Sequence, residues 1–215
     1  MGAGLAAGTQ LDQEVRMEAS HAGAQEAPTE RGRKRRQQII DAATGLFDVQ
    51  GFHATSIDEI GAAAGITGPG LYRHFAGKDE ILLAVFDRIW ELLRGAIKRT
   101  EGLDPGDALD ELIDTHITLA LHDGQALMLL LRELRHVPEY YQRAAERNDT
   151  RYTDAWAQAI IKLRPKATLD EARAAAHAVM GLIGSAARDN VGYHLEGSRH
   201  RTILHDMART ALDGF

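Results

Sequence analysis

The chain has 215 residues, no cysteine and a formal net charge of −6 at pH 7. Without cysteine it forms no disulfide framework, thiolate metal site or cysteine nucleophile. It has no basic start followed by an apolar segment, and no stretch approaches the roughly 18 apolar residues of a membrane helix. We therefore expect a cytoplasmic protein that is neither secreted nor inserted into a membrane.

Charge is unevenly distributed along the chain. Residues 31–78 hold seven basic and four acidic side chains, a net charge of +3, whereas residues 1–30 carry −4 and residues 79–215 carry −5. A basic block within an acidic chain indicates one module that faces nucleic acid. We therefore predict a disordered tail over 1–30, a DNA-binding domain over 31–78 and a larger helical domain over 79–215.

Apolar residues follow the helical period from about residue 33 onward, which predicts an all-α fold of about nine helices. The first helix is expected from Arg33 to Gln50, with Gly51 as its stop. A basic arm on the approach to it adds sequence-independent affinity for DNA. Its members are Arg31, Arg33, Lys34, Arg35 and Arg36.

The segment TSIDEIGAAAGITGPGLYRHFAGK, residues 55–78, predicts two short helices joined by a tight turn. The first begins after Ser56, whose spacing to Glu59 is that of a capping box. Gly65 permits the bend, Ile66 fills the space between the helices and Thr67 caps the second helix. The major groove, about 12 Å wide, admits one helix while a preceding helix braces it across the phosphate backbone.

Side chains at and after the second helix have the chemistry for DNA contact. Gly70 allows close approach of the backbone, and Tyr72 and His74 can donate hydrogen bonds to phosphates. The fork of Arg73 matches either a guanine edge or a phosphate. Lys78 lies at the start of the next helix, where the free N–H groups and the ammonium can hold a phosphate together.

This segment, extended as GFHATSIDEIGAAAGITGPGLYRHFAGKDEIL, resembles the DNA-binding part of the tetracycline-repressor (TetR) family. The resemblance covers about residues 33–85. It implies a three-helix DNA-binding domain, a larger helical domain that binds a small molecule, and a homodimer. It also implies that the dimer represses transcription from a palindromic operator until the ligand arrives.

By position in the motif, the resemblance assigns phosphate contacts to Thr55, Ser56, Thr67, Tyr72, His74 and Lys78. It places Gly68, Pro69, Gly70 and Arg73 in the base-facing part. Two departures stand out: Gly68-Pro69 replaces a common Lys-Gly, and Gly61 replaces a common Ala at a cost of roughly 1 kcal/mol in helix propensity. The first departure removes a donor, so the operator sequence is not predicted.

The second domain is expected to hold six helices. Asp104-Pro105 and the Thr168–Glu171 capping box mark two of the starts. The predicted ranges are 79–100, 105–122, 125–136, 138–163, 169–188 and 198–212.

The apolar residues of this domain can line a pocket for a hydrophobic effector, or they can simply form the hydrophobic core. The apolar run over 127–134 favours a hydrophobic ligand. The candidate lining residues are Met128, Tyr140, Tyr141, Trp156 and Met180, with His116, Arg132 or His177 as a polar contact. Arg132 needs an anionic partner, which we expect to be Glu133, Asp154 or a ligand carboxylate.

Small residues over 169–188 allow helices to pack closely. They are Ala172, Ala175, Ala176, Val179, Ile183 and Ala186. Homodimerisation through this helix and the last one explains them, and so does packing within one chain.

Enzymatic chemistry finds little support. The glycine that a phosphate loop requires is replaced by Tyr72, and Asp79 follows Lys78. The ten histidines show no metal-ligand spacing, so neither a metal nor a cofactor is expected. The sequence predicts a ligand-responsive, DNA-binding repressor; the alternative is a structural, nucleoid-type DNA binder without an effector.

Overall fold

The computed structural model describes residues 29–187 and 197–214, and every regular element in these ranges is helical. The predicted tail lies almost wholly outside the described residues, as do residues 188–196. The α-helices of the described chain are α1 Glu30–Gln50, α2 Ile57–Ala63, α3 Gly68–Leu71, α4 Lys78–Arg99, α5 Pro105–His122, α6 Gly124–Glu133, α7 Glu139–Leu163, α8 Leu169–Gly184 and α9 Gly197–Asp213. No helix in the described ranges is long and apolar enough to span a bilayer.

Two compact units divide the chain within α1, the first ending at Gln37 and the second running from Gln38. In the first unit, α1 begins at Glu30, three residues earlier than predicted. The Thr29 hydroxyl explains this start, because it accepts the Gly32 N–H at 3.2 Å as a helix cap does. The basic run from Arg31 to Arg36 therefore lies within the first turns of α1 rather than in an arm before it.

The second unit contains α2, α3 and the buried face of α1. Ile39 and Phe47 of α1, Ile60 of α2, Leu71 of α3 and Phe75 beyond it are all at most 1% exposed. Burial of each such side chain contributes about 1.5–3 kcal/mol, which is what holds these short helices in place.

Glycines end the helices where the sequence predicted stops. Gly51, Gly65 and Gly102 have φ values of 87°, 67° and 81°, in the left-handed region that suits glycine.

The larger part of the second unit is built on long amphipathic helices. α4 buries a stripe that includes Val85, Phe86 and Ile89. α7 packs mainly on α8 and α5, with Trp156 fully buried at their centre. α4 also follows directly from the α2–α3 segment in the chain.

At Gly61 the backbone of α2 lies close to the backbone of the turn that follows it. A Cβ there lies 3.1 Å from the Ile66 carbonyl oxygen, whereas a Cβ at Gly45 in α1 has open space around it. We therefore expect Gly45→Ala to raise the free energy of unfolding by about 1 kcal/mol through helix propensity. Gly61→Ala is expected to give a smaller gain or none, because the Ile66 carbonyl has to shift by a few tenths of an ångström to make room for the methyl group. Urea unfolding of both variants checks this, and an equal gain at both positions contradicts it.

Candidate functional site

The turn between α2 and α3 has the predicted geometry. The Thr67 hydroxyl accepts the Gly70 N–H at 3.3 Å as the cap of α3, and the Ile66 N–H donates to the Gly61 carbonyl at 2.9 Å. α3 contains only four residues before it continues as a turn to Phe75. At Gly68 a Cβ lies 2.7 Å from Asp58 Oδ1, so a side chain there requires this carboxylate to move.

An exposed polar surface follows the start of α3. Thr67, Pro69, Tyr72 and Arg73 are all exposed, and Tyr72 keeps 58% of its surface. Within the described chain, the side chains of Tyr72 and Arg73 make no hydrogen bond or ion pair. His74 is half-buried, and its backbone N–H donates to the Leu71 carbonyl at 2.8 Å. The outward face of this segment therefore presents a phenol and a guanidinium to a partner.

Two predicted phosphate contacts have other roles in this structure. Thr55 is 2% exposed, and its hydroxyl donates to the Gly51 carbonyl at 2.9 Å. This hydroxyl already satisfies a carbonyl in the turn after α1, and a phosphate contact from it stays a prediction. The Ser56 hydroxyl donates to Glu59 Oε2 at 2.6 Å and accepts the Glu59 N–H at 3.2 Å. This confirms the capping box and engages the hydroxyl.

Lys78 connects α4 to the loop between α1 and α2. Its Nζ donates to the Thr55 carbonyl at 2.9 Å and to the His53 carbonyl at 3.1 Å, and lies 4.7 Å from the centroid of the Phe52 ring. Lys78 therefore has a structural role in this protein, and its phosphate contact stays a prediction. An ammonium has three N–H donors, so one remains for a phosphate.

α4 begins without a side-chain cap, because Gly77 precedes it. Its first turn also carries Asp79 and Glu80, whose negative charges oppose the binding of an anion there. Glu80 reaches back to accept the Ala76 N–H at 2.6 Å, which fixes the chain entering the helix. A phosphate contact from the α4 backbone together with Lys78 stays a prediction.

The basic residues at the start of α1 lie in the first unit. Arg33 and Lys34 are exposed, while Arg35 and Arg36 are half-buried. Lys34 pairs with Glu30 at 2.8 Å, one turn earlier in the helix.

In the larger helical body, two predicted lining residues, His116 and Trp156, form a buried aromatic cluster with Tyr152. His116 stacks on Tyr152 with centroids 6.0 Å apart and meets Trp156 edge to face at 6.3 Å. Burial lowers the pKa of the His116 imidazole from 6.5 to about 4, with the Met180 backbone opposing the shift. The imidazole is therefore neutral at pH 7. Tyr152 was not among the predicted lining residues, although its spacing of four residues from Trp156 places both on one helix face.

Other candidate effector residues are not brought to this cluster. Tyr140 is 64% exposed, and His177 is exposed with Nε2 3.1 Å from the Thr153 hydroxyl. Tyr141 is buried, but its hydroxyl donates to Asp87 at 2.8 Å. Met128 is partly buried against the core. Met180 is also partly buried and is the exception, because its backbone lies against His116.

Arg132 turns away from the core. Its Nε donates to Glu133 at 3.1 Å and its Nη2 to the Phe47 carbonyl of α1 at 3.2 Å. The predicted partner Glu133 is confirmed. Because Arg132 and Tyr140 are both exposed, burial gives no support to their predicted lining role, which stays a prediction. A charged or amphipathic side chain gains more from solvent and polar partners than from an apolar interior.

The groove that His177 occupies lies at the surface between α7 and α8. It has a volume of about 370 Å³ and is also lined by Asp149, Thr153 and Arg173. Among the residues that the structure describes, no group of three histidine or carboxylate side chains is placed to hold a metal ion.

The lowered pKa of His116 has a consequence for stability. The unfolded chain takes up this proton near pH 6.5, whereas the folded chain does so only near pH 4. Stability is therefore expected to fall as the pH is lowered from 6.5 to 4, by up to about 3 kcal/mol from this group. Urea unfolding at pH 7 and pH 4.5 should show a smaller loss for His116→Phe than for the wild type. Replacement of the exposed His122 by Phe is the control, and identical losses in all three proteins contradict the assignment.

Comparison with known proteins places this geometry in a family. The model for bacterial regulatory proteins of the tetR family matches residues 39–85. The HTH-type transcriptional activator FasR of Mycolicibacterium smegmatis is 32% identical over 170 residues, which cover 77% of this chain and 74% of FasR. The HTH-type transcriptional repressor KstR2 of Rhodococcus jostii is 30% identical over 128 residues, 57% of this chain and 61% of KstR2.

Solved structures agree on the fold. The structure of AibR in complex with isovaleryl coenzyme A and operator DNA matches with a TM-score of 0.67 at 19% identity, covering 80% of this chain and 97% of AibR. The fold, the turn between α2 and α3 and the extent of the FasR match lead to one conclusion. The chain belongs to the TetR family of helix-turn-helix transcriptional regulators, which bind DNA and are not enzymes.

Proposed function

We propose that this regulator is a homodimer that represses transcription from a palindromic operator in the cytoplasm and is released by a small apolar effector. The observation that carries the proposal is the exposed Tyr72–Arg73 pair on a fixed turn, beside the uncapped amino end of α4. The phenol and the guanidinium of this pair suit a negatively charged, grooved partner such as duplex DNA.

Each DNA-facing group has a distinct task in this proposal. The hydroxyls of Thr67 and Tyr72 donate to phosphates, and the remaining Lys78 N–H joins the α4 backbone on another phosphate. Arg73 enters the major groove and reads a guanine edge. Gly68, Pro69 and Gly70 carry no hydrogen-bonding side chain, so recognition there depends on close backbone approach and DNA shape.

A dimer interface through α8 and α9 is supported by their outward faces. Ala174, Ala178 and Gly181 are exposed on one face of α8, and Ile203 and Met207 of α9 keep 37% and 50% of their surface. These two helices pack against each other, so their exposed residues can form one apolar surface.

Most of the small residues that first suggested dimerisation serve the monomer. Ala172, Ala176, Val179 and Ile183 are at most 3% exposed and pack inward. The opposite face of α8, rather than this one, is therefore the face that we assign to a second copy.

An apolar effector is supported by the character of the helical body. The cluster of His116, Tyr152 and Trp156 combines apolar rings with a neutral imidazole, which suits an acyl or other hydrophobic group with one polar atom. AibR, which shares the fold, was solved with isovaleryl coenzyme A and operator DNA. Binding in this region is expected to favour one spacing of the DNA-binding units over another.

Activation is the second candidate function, because FasR is named an activator whereas KstR2 is named a repressor. A promoter fusion carrying the selected operator distinguishes them: reporter output rises on deletion of the regulator if it represses and falls if it activates. A structural, nucleoid-type protein leaves single-promoter output insensitive to any effector.

DNA selected from a random duplex pool by the wild-type protein tests the interface. Lys78→Met is expected to weaken binding to all duplexes and to lower the slope of log affinity against log salt by about one, because one phosphate contact is lost. Arg73→Ala is expected to cost about 1–3 kcal/mol on the selected duplex and to relax preference at one base pair per half-site.

Arg147→Ala on α7 is the matched control, since it removes an exposed arginine far along the chain from the interface. Fluorescence anisotropy below the melting temperature of each variant gives the affinities. An Arg73→Ala protein with the base preference of the wild type would exclude this residue from base reading.

The proposed dimer has a separate test. Met207→Glu places a charge on the exposed face of α9 and is expected to shift the protein from dimer to monomer in sedimentation at micromolar concentration. Leu131→Glu is the control, because Leu131 is 68% exposed on α6. Dimerisation that survives Met207→Glu would place the interface elsewhere.

A further inference from the structure

We infer that α6 is tied to α1 at both of its ends, and that Arg88 is the positioning residue that sets the placement of α6 relative to α1 and, through α1, the affinity for DNA. The inference rests on the proposed effector-controlled DNA binding. It goes beyond it by naming the contacts that carry the coupling.

The first tie is made by one guanidinium with two carboxylates. Arg88 of α4 donates from Nη1 to Asp41 of α1 at 2.7 Å and from Nη2 to Asp123, which immediately precedes α6. The guanidinium is rigid and planar, so its two nitrogens fix the separation of the two carboxylates. The amino end of α6 is thereby held at a set distance from the middle of α1.

The second tie lies at the other end of α6. Arg132 donates to the Phe47 carbonyl of α1 at 3.2 Å and is oriented by Glu133 at 3.1 Å. Glu133 is 6% exposed, and its other oxygen lies 3.4 Å from His136 Nδ1. A nearly buried carboxylate thus holds the guanidinium in the direction of α1.

The two ties resist both sliding and rotation of α6. At 1.5 Å per residue, Asp41 and Phe47 are about 9 Å apart along α1, and Asp123 and Arg132 about 13.5 Å apart along the chain of α6. The ties therefore follow the same direction along both helices. Two separated contact points define an orientation, whereas one contact leaves a helix free to pivot about it.

Polar contacts rather than interlocked apolar side chains dominate at the first tie. A cleft of about 150 Å³ lies there, lined by Thr44, Arg88, His122 and Gln125 among others. Its apolar wall is formed by Ile40, Val85 and Ala126. The polar tie needs close approach of its charged groups, so it is lost when the helices separate by a few ångströms while most of the core stays packed.

The solvent exposure of the three charged side chains indicates that the first tie positions α6 rather than stabilising the fold. The side chains of Arg88, Asp41 and Asp123 keep 42%, 57% and 19% of their surface. Ion pairs exposed to this extent contribute little to global stability. Loss of the pairs is therefore expected to change the placement of α6 much more than the melting temperature.

The test uses the full chain with Arg88→Met, Asp123→Asn and the double variant. Arg147→Met is the control, because it replaces an exposed arginine of α7 for which the structure shows no ion pair. In the DNA-free protein, amides of residues 124–133 are expected to exchange about threefold to tenfold faster in Arg88→Met than in the control, at similar melting temperature. Affinity for the wild-type-selected duplex is expected to fall by a similar factor.

A double-mutant cycle gives the sharper result. If one guanidinium links both carboxylates, Arg88→Met with Asp123→Asn is no worse than Arg88→Met alone. Additive losses, or exchange in Arg88→Met equal to that of Arg147→Met, overturn the inference. Faster exchange with unchanged DNA affinity overturns the coupling role. A wild-type protein that selects no duplex rejects the proposed function instead, and the exchange data still decide whether the tie exists.

Discussion

Burial of Leu71 and Phe75 in the apolar core is the constraint on which the rest of this structure depends. α3 has only four residues, and its sequence Gly68-Pro69-Gly70-Leu71 has poor helix propensity. Such a segment does not hold its shape by itself in water. Tertiary burial supplies the free energy that propensity does not, and the exposed side of the same turn is consequently held still enough to recognise a partner.

Polar groups on α4 then connect the loop and helices before it to the larger helical body. Lys78 binds two carbonyls in the loop between α1 and α2, so α4 begins at a fixed point relative to that loop. Arg88, ten residues further along α4, reaches both α1 and the start of α6. The Arg88 ion pairs are partly exposed, so little apolar packing holds them in place. The interior around Trp156 is instead fully buried among several helices.

Local chemistry made much of the fold predictable. The capping boxes at Ser56–Glu59 and Thr168–Glu171 were both found as predicted, because four successive residues suffice to form them. Helix stops at glycine have the same local origin. Side chains with several available partners were not predictable in this way. Thr55 and Arg132 were expected to face phosphate or ligand, but both donate to carbonyls of the chain, Gly51 and Phe47 respectively.

The sequence by itself determined the helical class, the helix-turn-helix segment, its basic character and its family resemblance, since these follow from periodicity and spacing along the chain. Only the tertiary structure decided which polar side chains remain available. It turned Lys78 inward, left Tyr72 and Arg73 outward, and enclosed His116 among aromatic rings. The physical reason is competition: a donor binds whichever acceptor the folded chain brings within about 3 Å, and that acceptor is far away in sequence.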